Sequence, residues 1–410
     1  MNIAISTALS GLTASATAVE AIGNNLANLN TSGYKATGLA FQDMMSQALG
    51  AGSSTSQVGQ GVGPVSILRN FNQGAVQSTG GAYDAAIQGD GFFVVKDTAG
   101  QTLYTRAGNF VLDASGNLTT ASGENVQGWN ATAGVVNAGG ASGNITVPVG
   151  AVIPATATTT MSMDVNLDSR AATGAVVTAP IEVIDSQGAS HTLTATFTKA
   201  DVNSWTYSVD IPAADLTGGA GTPVTGTLTF DSSGLLTSPA PGDNPLAFTG
   251  LADGAADLAV NWQMYNSAGA GRLTQFAQAS GLSASDQNGV AAGQITGVSI
   301  ADGGMIVAKY SNGKTAAVGQ LAVAAVRNPG TLTSVGNNNL QATLDTAPIV
   351  VGAADSGGRG KIKGGSLEAS TVDIAHEFTE LITMQRSYQA NSKVITTSDQ
   401  LLQDTLNMKQ

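Results

Sequence analysis

The stretch ISTALSGLTASATAVEAIGNNLANLNTSGYKA, residues 5–36, joins a regular apolar pattern to a run of asparagines. Apolar side chains recur in it every seven residues, at Ile5, Leu12, Val19 and Leu26. Leu9 and Ala16 occupy the alternate positions of the same 3.5-residue repeat, which is typical of a coiled coil. We therefore predict an N-terminal helix whose apolar stripe packs against a partner helix.

The asparagine-rich end of this stretch predicts where the helix stops. Asparagine and glycine tolerate the left-handed backbone conformation that commonly ends a helix. The first helix is therefore expected to end between residues 28 and 33. The predicted helix exit and linking turn comprise Asn24, Asn25, Asn28, Gly33 and Tyr34.

A second heptad column lies near the C-terminus. It comprises Ile374, Leu381, Tyr388, Ile395 and Leu402, with Phe378, Val394, Leu401 and Leu406 beside it. Ser370, Thr371 and Asp373 precede the column, and their oxygens can accept bonds from the first free backbone N–H groups of a helix. Glu377 would favour the positive end of the helix dipole. The pattern predicts a C-terminal helix that begins beside these polar residues.

The two stripes raise the question of what covers them. A helix pair within one chain is the simpler possibility, but the stripes bury little surface compared with the entropy lost when two long segments become ordered. We therefore expect both helices to pack against other copies of the chain, and contacts that do not close on themselves produce a helical filament. The residues predicted to carry self-assembly are Ile5, Leu9, Leu12, Val19, Leu26, Ile374, Phe378, Leu381, Tyr388, Ile395, Leu402 and Leu406.

Between the two helices the apolar pattern changes to a period of two. Apolar and polar residues alternate most clearly in residues 161–167, 205–211 and 258–264, which predicts half-buried strands. The turn signal Asp-x-x-Gly recurs at 113–116, 185–188 and 231–234. Aspartate favours a type I turn there, and glycine favours the left-handed position that follows. The centre of the chain is therefore predicted to consist of antiparallel hairpins.

The predicted fold class is mainly β with α-helical termini. Small residues concentrate in residues 131–143 and 267–289, as in loops between domains. Two nested, discontinuous antiparallel β domains are predicted, together with a coiled-coil-like helical core. Their expected ranges are 146–284 for the inserted outer β domain, 71–145 with 285–358 for the second β domain, and 1–70 with 359–410 for the terminal helices and linking segment.

The composition limits the classes of partner. A formal net charge of −12 and a pI near 4.4 disfavour nucleic acid and anionic membranes. The chain has no cysteine, so disulfides, thiolate nucleophiles and cysteine-based zinc sites are excluded. No positively charged segment precedes an apolar stretch near the N-terminus, so an ordinary signal peptide is not expected. No uninterrupted apolar run is long enough to predict a membrane span.

Few residues suggest catalytic or cofactor chemistry. His191 and His376 fall in different predicted domains, so a shared metal site or acid–base role is not expected. The glycine-rich segment GQGVGP, residues 59–64, lacks the strand, helix and acidic residue of a dinucleotide site and is interpreted as a turn. The basic segment at 359–363 is interpreted as a solvated hinge. We therefore predict no catalytic residue, no metal, no cofactor and no enzymatic activity.

Motifs at both ends of the chain resemble those of the bacterial flagellar axial proteins, the family of rod, hook and junction proteins. The N-terminal motifs are ALSGL (8–12), NNLAN (24–28) and TSGYK (31–35). The C-terminal motifs are GSLE (365–368) and QRSYQAN (385–391). These motifs are shared across the family, so they do not separate hook from rod.

The middle of the chain carries a finer resemblance. Segments 83–95 (YDAAIQGDGFFVV) and 104–118 (YTRAGNFVLDASGNL) resemble the β domain common to rod and hook proteins. Segments 183–199 (VIDSQGASHTLTATFTK) and 309–324 (KYSNGKTAAVGQLAVA) resemble hook proteins in particular. The resemblance covers nearly the whole chain and is loosest at 200–284.

The resemblance implies a structural subunit of the curved tube that joins the rod of the rotary motor to the filament and transmits torque as a universal joint. Terminal helices would line this tube, and β domains would form its outer layers. The implied partners are other copies of the chain, the distal rod, hook cap and hook–filament junction proteins, and the flagellar type III export apparatus. The implied location is the extracellular flagellum, reached by export without a cleaved signal peptide.

Two alternatives remain at this point. A distal rod protein shares the terminal motifs, but usually lacks so large an inserted domain. An extracellular β-rich binding protein or hydrolase could share the composition, but it would need carboxylates, histidines or aromatic side chains clustered in a cleft. The sequence displays no such cluster, so the hook interpretation is preferred.

Overall fold

Two long helices lie at the ends of the chain in the computed structural model, which describes residues 2–44, 47–48, 57–132, 134–219 and 221–408. Helix α1 spans Asn2–Ala27 and helix α2 spans Ile374–Asn407. Asp373 caps α2, because its side chain accepts hydrogen bonds from the N–H groups of Ala375 and His376. The predicted C-terminal helix start is confirmed.

Nearly all other regular structure is β. The first strands are β1 (Thr37–Ala40), β2 (Gln47–Ala48), β3 (Gln57–Val58), β4 (Ser66–Arg69), β5 (Val76–Ser78), β6 (Ala85–Gln88), β7 (Phe92–Lys96), β8 (Thr102–Thr105), β9 (Phe110–Leu112), β10 (Leu118–Thr120), β11 (Asn125–Thr132), β12 (Val135–Val136) and β13 (Gly143–Asn144). The next are β14 (Val152–Ile153), β15 (Thr160–Asn166), β16 (Val176–Ile184), β17 (Ser190–Asp201), β18 (Ser204–Asp210), β19 (Val224–Phe230), β20 (Leu236–Ser238), β21 (Pro245–Phe248), β22 (Leu258–Trp262), β23 (Leu273–Thr274) and β24 (Gly281–Gln287).

The last strands are β25 (Gly293–Ile300), β26 (Met305–Tyr310), β27 (Thr315–Leu321), β28 (Val323–Ala325), β29 (Thr333–Gly336), β30 (Asn339–Gln341), β31 (Val350–Gly352), β32 (Lys361–Gly364) and β33 (Ser366–Glu368). Short 3₁₀ helices occur at Ala213–Asp215, Asp302–Gly304 and Pro329–Thr331. The predicted fold class, mainly β with helical termini, is confirmed.

The chain divides into two compact units. The helical unit comprises Met1–Val149, Gly297–Ala308 and Thr315–Gln410. The inserted unit comprises Gly150–Thr296 and Lys309–Lys314. The finer division into three domains with boundaries at 70, 145, 284 and 358 stays a prediction.

The helical unit contains a sheet built around β11. Strand β11 pairs antiparallel with β7, β27 and β13, and β7 continues the sheet through β8. Beyond β8 the sheet continues to β30 and β29. Its core includes Phe92, Val94, Tyr104, Trp129, Ala322, Ala324, Leu332 and Leu340. Two short antiparallel ladders, β6 with β32 and β5 with β33, bring the segment before α2 onto this β region.

The inserted unit contains two five-stranded sheets. Strands β16 to β20 form an antiparallel meander in chain order. The second sheet has the order β21-β22-β15-β23, with β24 also paired to β15. Antiparallel pairing prevails as predicted, but β15 runs parallel to β22 and to β23. The core contains aromatic side chains from both sheets, and Trp205, Phe197 and Trp262 are fully buried.

The three Asp-x-x-Gly turns are confirmed as hairpin turns. They connect β9 to β10, β16 to β17, and β19 to β20. In each, the aspartate side chain accepts backbone N–H groups of the following residues, as at Asp113 and Asp231. The glycines have φ between 79° and 94°, a left-handed conformation that glycine adopts without strain.

Candidate functional site: the helix pair and its joint

Helices α1 and α2 pack against each other within the single chain. The buried side chains of α1 are mostly small: Ala8, Ala14, Ser15, Ala18, Ala21, Ile22 and Asn25. Gly11 contacts α2 closely, since a Cβ atom built on it would lie 2.8 Å from Nδ2 of Asn391. Small residues allow two helix axes to approach each other.

A second heptad repeat, which the apolar pattern conceals, runs along α1, and four of its six members are small. Ala8, Ser15 and Ile22 are spaced by seven, and so are Gly11, Ala18 and Asn25, as in the alternating positions of a coiled-coil seam. Sequence reasoning missed this repeat because alanine, glycine and serine carry little hydrophobic signal. This repeat lies beside the stripe of large apolar residues on α1, because positions 8, 15 and 22 follow positions 5, 12 and 19 by three residues.

The twelve residues predicted to carry self-assembly are not buried in the chain. Half-buried are Ile5, Leu12, Val19, Leu26, Leu381 and Ile395. Exposed are Leu9, Ile374, Phe378, Tyr388, Leu402 and Leu406. Ile382 and Leu401 add to the exposed apolar surface of α2. The helix pair therefore forms through small side chains while much of its large apolar surface stays accessible.

Asn25 holds the end of α1 to the chain that follows it. Its Nδ2 donates to the carbonyl oxygen of Thr37 at 2.8 Å and to Oε1 of Glu377 at 3.0 Å. Its Oδ1 accepts the hydroxyl of Tyr34 at 3.2 Å and the backbone N–H of Thr37 at 3.0 Å. One buried amide therefore connects α1, the linking turn and the first turn of α2.

The other predicted exit residues have more local roles. The side chain of Asn28 donates to the carbonyl and side-chain oxygens of Asn24, one turn earlier in the chain. Gly33 has a φ of 69°, and a Cβ atom there would lie 2.5 Å from the backbone carbon of Arg106. Only glycine fits this close approach without a backbone shift. Helix α1 itself ends at Ala27.

Glu377 is a buried carboxyl at the base of the helix pair. Its Oε1 accepts from Asn25, while Oε2 has no hydrogen-bond partner among the described residues. Burial raises the pKa of Glu377, and the charges of Glu380 and Asp373 act in the same direction. Burial also raises the pKa of Tyr34. A negative charge on Glu377 is therefore disfavoured at this position.

A buried ion triad lies beside the linking turn. Lys35 Nζ lies 2.6 Å from Oε1 of Glu368, and a guanidinium nitrogen of Arg106 lies 3.1 Å from Oε2 of the same carboxylate. Glu368 also accepts the backbone N–H of Gly74 at 2.8 Å. All three charged side chains are almost completely buried.

The triad connects three segments that are distant in sequence. Lys35 follows α1, Arg106 follows β8, and Glu368 ends β33 shortly before α2. Burial lowers the pKa of Lys35, and the adjacent carboxylate of Glu368 opposes this shift. We call the triad together with Asn25, Tyr34 and Glu377 the joint. Both helices therefore join the β region of the helical unit through two buried polar clusters, one around Asn25 and one around Glu368.

The remaining candidate residues lie elsewhere. His376 is exposed on α2, 3.8 Å from Glu380. Residue Gly61 of the glycine-rich segment lies against α1, and the N–H of Val62 donates to Ser10 Oγ. Arg359 donates to the carbonyl oxygen of Ala353.

His191 is buried in the inserted unit beside three aspartates, which its predicted position on a hairpin did not reveal. Among the described residues, His191 with Asp185 and Asp253 is the one group whose geometry could hold a metal ion. Hydrogen bonds of the imidazole already account for this geometry. We therefore assign the group to hydrogen bonding.

Four family models match the chain in order. Residues 5–35 match the flagella basal body rod protein model, and residues 86–168 match the D1 domain of the flagellar hook protein FlgE/F/G. Residues 155–290 match the flagellar basal body protein FlaE D2 domain, and residues 363–408 match the C-terminal model of the flagellar basal body rod FlgEFG proteins.

Curated relatives match over almost the full length. Flagellar hook protein FlgE of Escherichia coli (strain K12) is 34% identical over 422 residues, covering 99% of this chain and all of the relative. The chain belongs to the flagellar hook protein family. Flagellar hook protein FlgE of Rhizobium meliloti (strain 1021) is 36% identical over 410 residues, covering 98% of each chain.

Members of the hook protein family are structural subunits of the bacterial flagellar hook. The rod models match only segments that rod and hook proteins share, whereas the matches over the full chain are to hook proteins. The hook interpretation is therefore confirmed over the distal rod alternative. The family is a structural one and is not known for enzymatic activity.

The fold has a counterpart among solved structures. The crystal structure of Helicobacter pylori flagellar hook protein FlgE2 superposes with a TM-score of 0.52 and 14% identity, covering 72% of this chain and all of that one. This likeness concerns the fold. Neither α1 nor α2, within the described residues, has the length and apolarity needed to cross a membrane.

Proposed function

We propose that the chain polymerises into the flexible tube of the flagellar hook through the apolar stripes of its helix pair. The observation that carries this proposal is the exposure of large apolar side chains on helices that are already paired. Phe378 is 50% exposed and Leu401 is 55% exposed. Apolar surface of this kind is typical of an interface that another molecule covers.

The neighbouring helix pair of an identical copy is the expected occupant. The small-residue repeat of α1 is used within the chain, and the exposed part of the large-residue repeat remains for contacts outside it. A head-to-tail contact that repeats without closing covers these stripes along a filament and leaves them open only at its two ends. The family relationship supports assembly of this kind.

The joint supports transmission of torque in this proposal. Asn25 and the ion triad connect both helices to the β region through buried hydrogen bonds. Breaking a buried ion pair by removing one partner costs about 3–5 kcal/mol. A torque applied to the helices would therefore be transmitted to the β region without loss of these contacts.

Bending of the tube would occur where β surfaces of neighbouring copies meet. Only 11% of the residues are charged, so such surfaces would make few ion pairs. Weak contacts of this type allow several arrangements of similar energy. Cryo-microscopy of curved tubes should show displacement between the β units of neighbouring copies. Displacement confined to the terminal helices would contradict this part of the proposal.

The remaining partners follow the same proposal. The chain would be exported by the flagellar type III apparatus without cleavage of a signal peptide and would contact the distal rod, hook cap and hook–filament junction proteins. It would occupy the hook segment outside the cell. The family relationship supports these partners and this location.

Phe378→Ser tests the assembly stripe, and Phe276→Ser is its matched control. Phe378 lies on α2 and Phe276 lies in the inserted unit, where it is 45% exposed. Both variants should keep the thermal unfolding midpoint of the monomer within about 2 °C, because surface substitutions cost little. We expect Phe378→Ser to reduce tube formation by purified protein at least tenfold, whereas Phe276→Ser should form tubes normally. Normal tubes from Phe378→Ser, or an equal loss with Phe276→Ser, would contradict the proposal.

A further inference from the structure

Three loops of the inserted unit converge around one buried imidazole. They are the β16–β17 turn at 185–188, the 3₁₀ helix Ala213–Asp215, and the turn at 251–254. Backbone bonds hold two of the loops together, since the N–H of Ala252 donates to the carbonyl oxygen of Asp215 at 2.9 Å. The N–H of Ala256 donates to Ser186 Oγ at 2.9 Å, which links the third.

His191 lies where these loops meet. Its Nδ1 is 3.1 Å from Oδ2 of Asp215, and its Nε2 is 3.1 Å from Oδ2 of Asp185. Asp253 brings a third carboxylate oxygen to 3.8 Å from Nε2. The side chains of His191 and Asp185 are buried, whereas those of Asp215 and Asp253 are about one-third exposed. Each loop therefore contributes one carboxylate to the imidazole.

The hydrogen-bond partners determine how many protons the imidazole carries. An ionised carboxylate only accepts hydrogen bonds, and a neutral imidazole has only one N–H donor. Asp185 is held in the ionised form, because its Oδ1 accepts the backbone N–H groups of Gln187, Gly188 and Ala189 at 2.6–2.9 Å. Both ring nitrogens of His191 face carboxylates, so both bonds form together when the ring is imidazolium.

The imidazolium is also the local counter-charge. Among the residues that the structure describes, no lysine or arginine forms an ion pair with Asp185, Asp215 or Asp253. Loss of the proton from His191 would therefore leave three carboxylates close together without a cation. Like charges at such distances repel each other more strongly in a partly buried environment than in water.

Catalysis is a poor explanation for this cluster. A general base needs a free ring nitrogen within reach of a substrate proton. Both nitrogens of His191 are occupied by aspartates, and the ring is buried. The arrangement instead suits a group whose charge holds other groups in place.

We infer that His191 is a proton-dependent clamp, which closes the three loops of the inserted unit while its ring is imidazolium and releases them when the ring loses its proton. Asp185 anchors the clamp on the β16–β17 turn, and Asp215 and Asp253 hold the other two loops. The device is independent of the helix pair, because all four residues belong to the inserted unit.

The pH range of the clamp follows from the pKa shifts of His191 and Asp185. Burial lowers the pKa of His191, but the hydrogen bonds and charges of Asp215 and Asp185 outweigh burial and raise it above 6.5. The stability from the clamp is therefore fully present below pH 6.5 and is lost as the pH rises through the raised pKa. Burial raises the pKa of Asp185, but the hydrogen bonds that its carboxylate accepts from His191 and from backbone N–H groups outweigh burial and lower the pKa from 3.8 to about 2. Its contribution is present above pH 3.8 and is lost as the pH falls towards about 2.

The protonation of His191 can be measured directly by NMR. The chain has two histidines, so the full-length His376→Gln variant contains no other imidazole than His191. We expect both ring nitrogens to carry a proton at about pH 6 and the titration midpoint to lie above the ordinary value of about 6.5. A midpoint at or below that value, or a single protonated ring nitrogen at about pH 6, would overturn the inference.

Asp215→Asn separates the charge of the clamp from its shape. The asparagine keeps an acceptor oxygen facing Nδ1 and removes the negative charge, so the titration midpoint of His191 should fall by about one pH unit. Asp286→Asn is the matched control, because it removes the same charge from an exposed position of the inserted unit. An unchanged midpoint in Asp215→Asn, or an equal fall in Asp286→Asn, would overturn the inference.

Amide hydrogen exchange tests the release of the loops. After correction for intrinsic rates, the protection of residues 185–189, 213–217 and 250–254 of the full chain should fall at least tenfold between about pH 6 and pH 9.5. This interval begins below the ordinary histidine pKa and extends well above it. In His191→Gln these segments should be equally unprotected at both values. Protection that is unchanged in the wild-type chain would overturn the inference, and Asp215→Asn provides the same test if His191→Gln does not fold.

Discussion

The helix pair and the inserted unit bury different kinds of side chain. On α1 the helix pair buries mainly alanine, serine and asparagine, and Ile22 is the one large apolar side chain buried among the described residues of that helix. On α2 phenylalanine, leucine and isoleucine side chains are exposed. The inserted unit buries its largest side chains completely, with Trp205, Phe197 and Trp262 packed in one cluster. Tyr207 also packs edge-on against Trp262, at 5.3 Å between ring centroids.

This difference indicates where the stability of each region comes from. Burial of large apolar side chains is the main favourable contribution to folding, and the inserted unit obtains it within one chain. The helix pair obtains little of it, since its large side chains remain accessible. We therefore expect the inserted unit to be stable in the monomer and the helix pair to gain most of its stability on assembly.

Trp262→Ala should have the largest effect on the monomer. Removal of a fully buried tryptophan leaves a cavity and costs about 4 kcal/mol of unfolding free energy. Denaturant unfolding followed by the fluorescence of Trp205 measures this loss, in a Trp129→Phe background that removes the tryptophan of the helical unit. A loss of unfolding free energy below about 1 kcal/mol, similar to that for an exposed residue, would contradict this contrast between the buried core of the inserted unit and the exposed apolar surface of the helix pair.

Glu368→Gln should have the next largest effect, and it acts on the joint. The variant leaves Lys35 and Arg106 buried without a negative partner, which costs about 3 kcal/mol. Amide hydrogen exchange should show a loss of protection in residues 33–37 and 366–373, while the inserted unit keeps its protection. Asp355→Asn serves as the control, because the ion pair of Asp355 with Lys361 is exposed at both side chains and contributes little. If Glu368→Gln and the control variant show equal protection in these residues, the triad does not hold the helices.

The free energy of unfolding should differ by about 1 kcal/mol between Gly11→Ala and Gly23→Ala, which is the smallest of the three effects. Alanine favours a helix over glycine by about 1 kcal/mol, and a Cβ on Gly23 has no atom within 4 Å. A Cβ on Gly11 meets the amide of Asn391 at 2.8 Å, so the Asn391 side chain must move and the gain is offset. The thermal unfolding midpoint of the helices, measured by circular dichroism, should rise in Gly23→Ala and should stay unchanged or fall in Gly11→Ala. Equal gains at both positions would show that the helices do not approach as closely as the structure has them.

The predictable parts of the fold depend on neighbours in sequence. The start of α2 at Ile374 follows from the capping side chain of Asp373, one residue earlier. The hairpins follow from Asp-x-x-Gly turns, in which aspartate and glycine act within four residues. The small-residue face of α1 was missed, because a repeat of Ala8, Ser15 and Ala18 differs little from the average composition of this chain.

The joint and the clamp depend on residues that meet only in the folded chain. Glu368 contacts Lys35 and Arg106 across 333 and 262 positions of sequence. His191 meets Asp215 and Asp253 through loops that the hairpin pattern does not bring together. Isolated charged residues carry no periodicity, so nothing in their spacing indicates a shared partner.

By itself, the sequence determined the helical ends, the β centre, the absence of cysteine chemistry and the resemblance to flagellar axial proteins, because each depends on local patterns or composition. Only the tertiary structure decided which face of α1 is used within the chain, which charges are buried together at the joint, and that His191 lies among three aspartates. Periodicity determines that a helix has faces, whereas the choice of a partner for each face depends on how closely distant segments can approach.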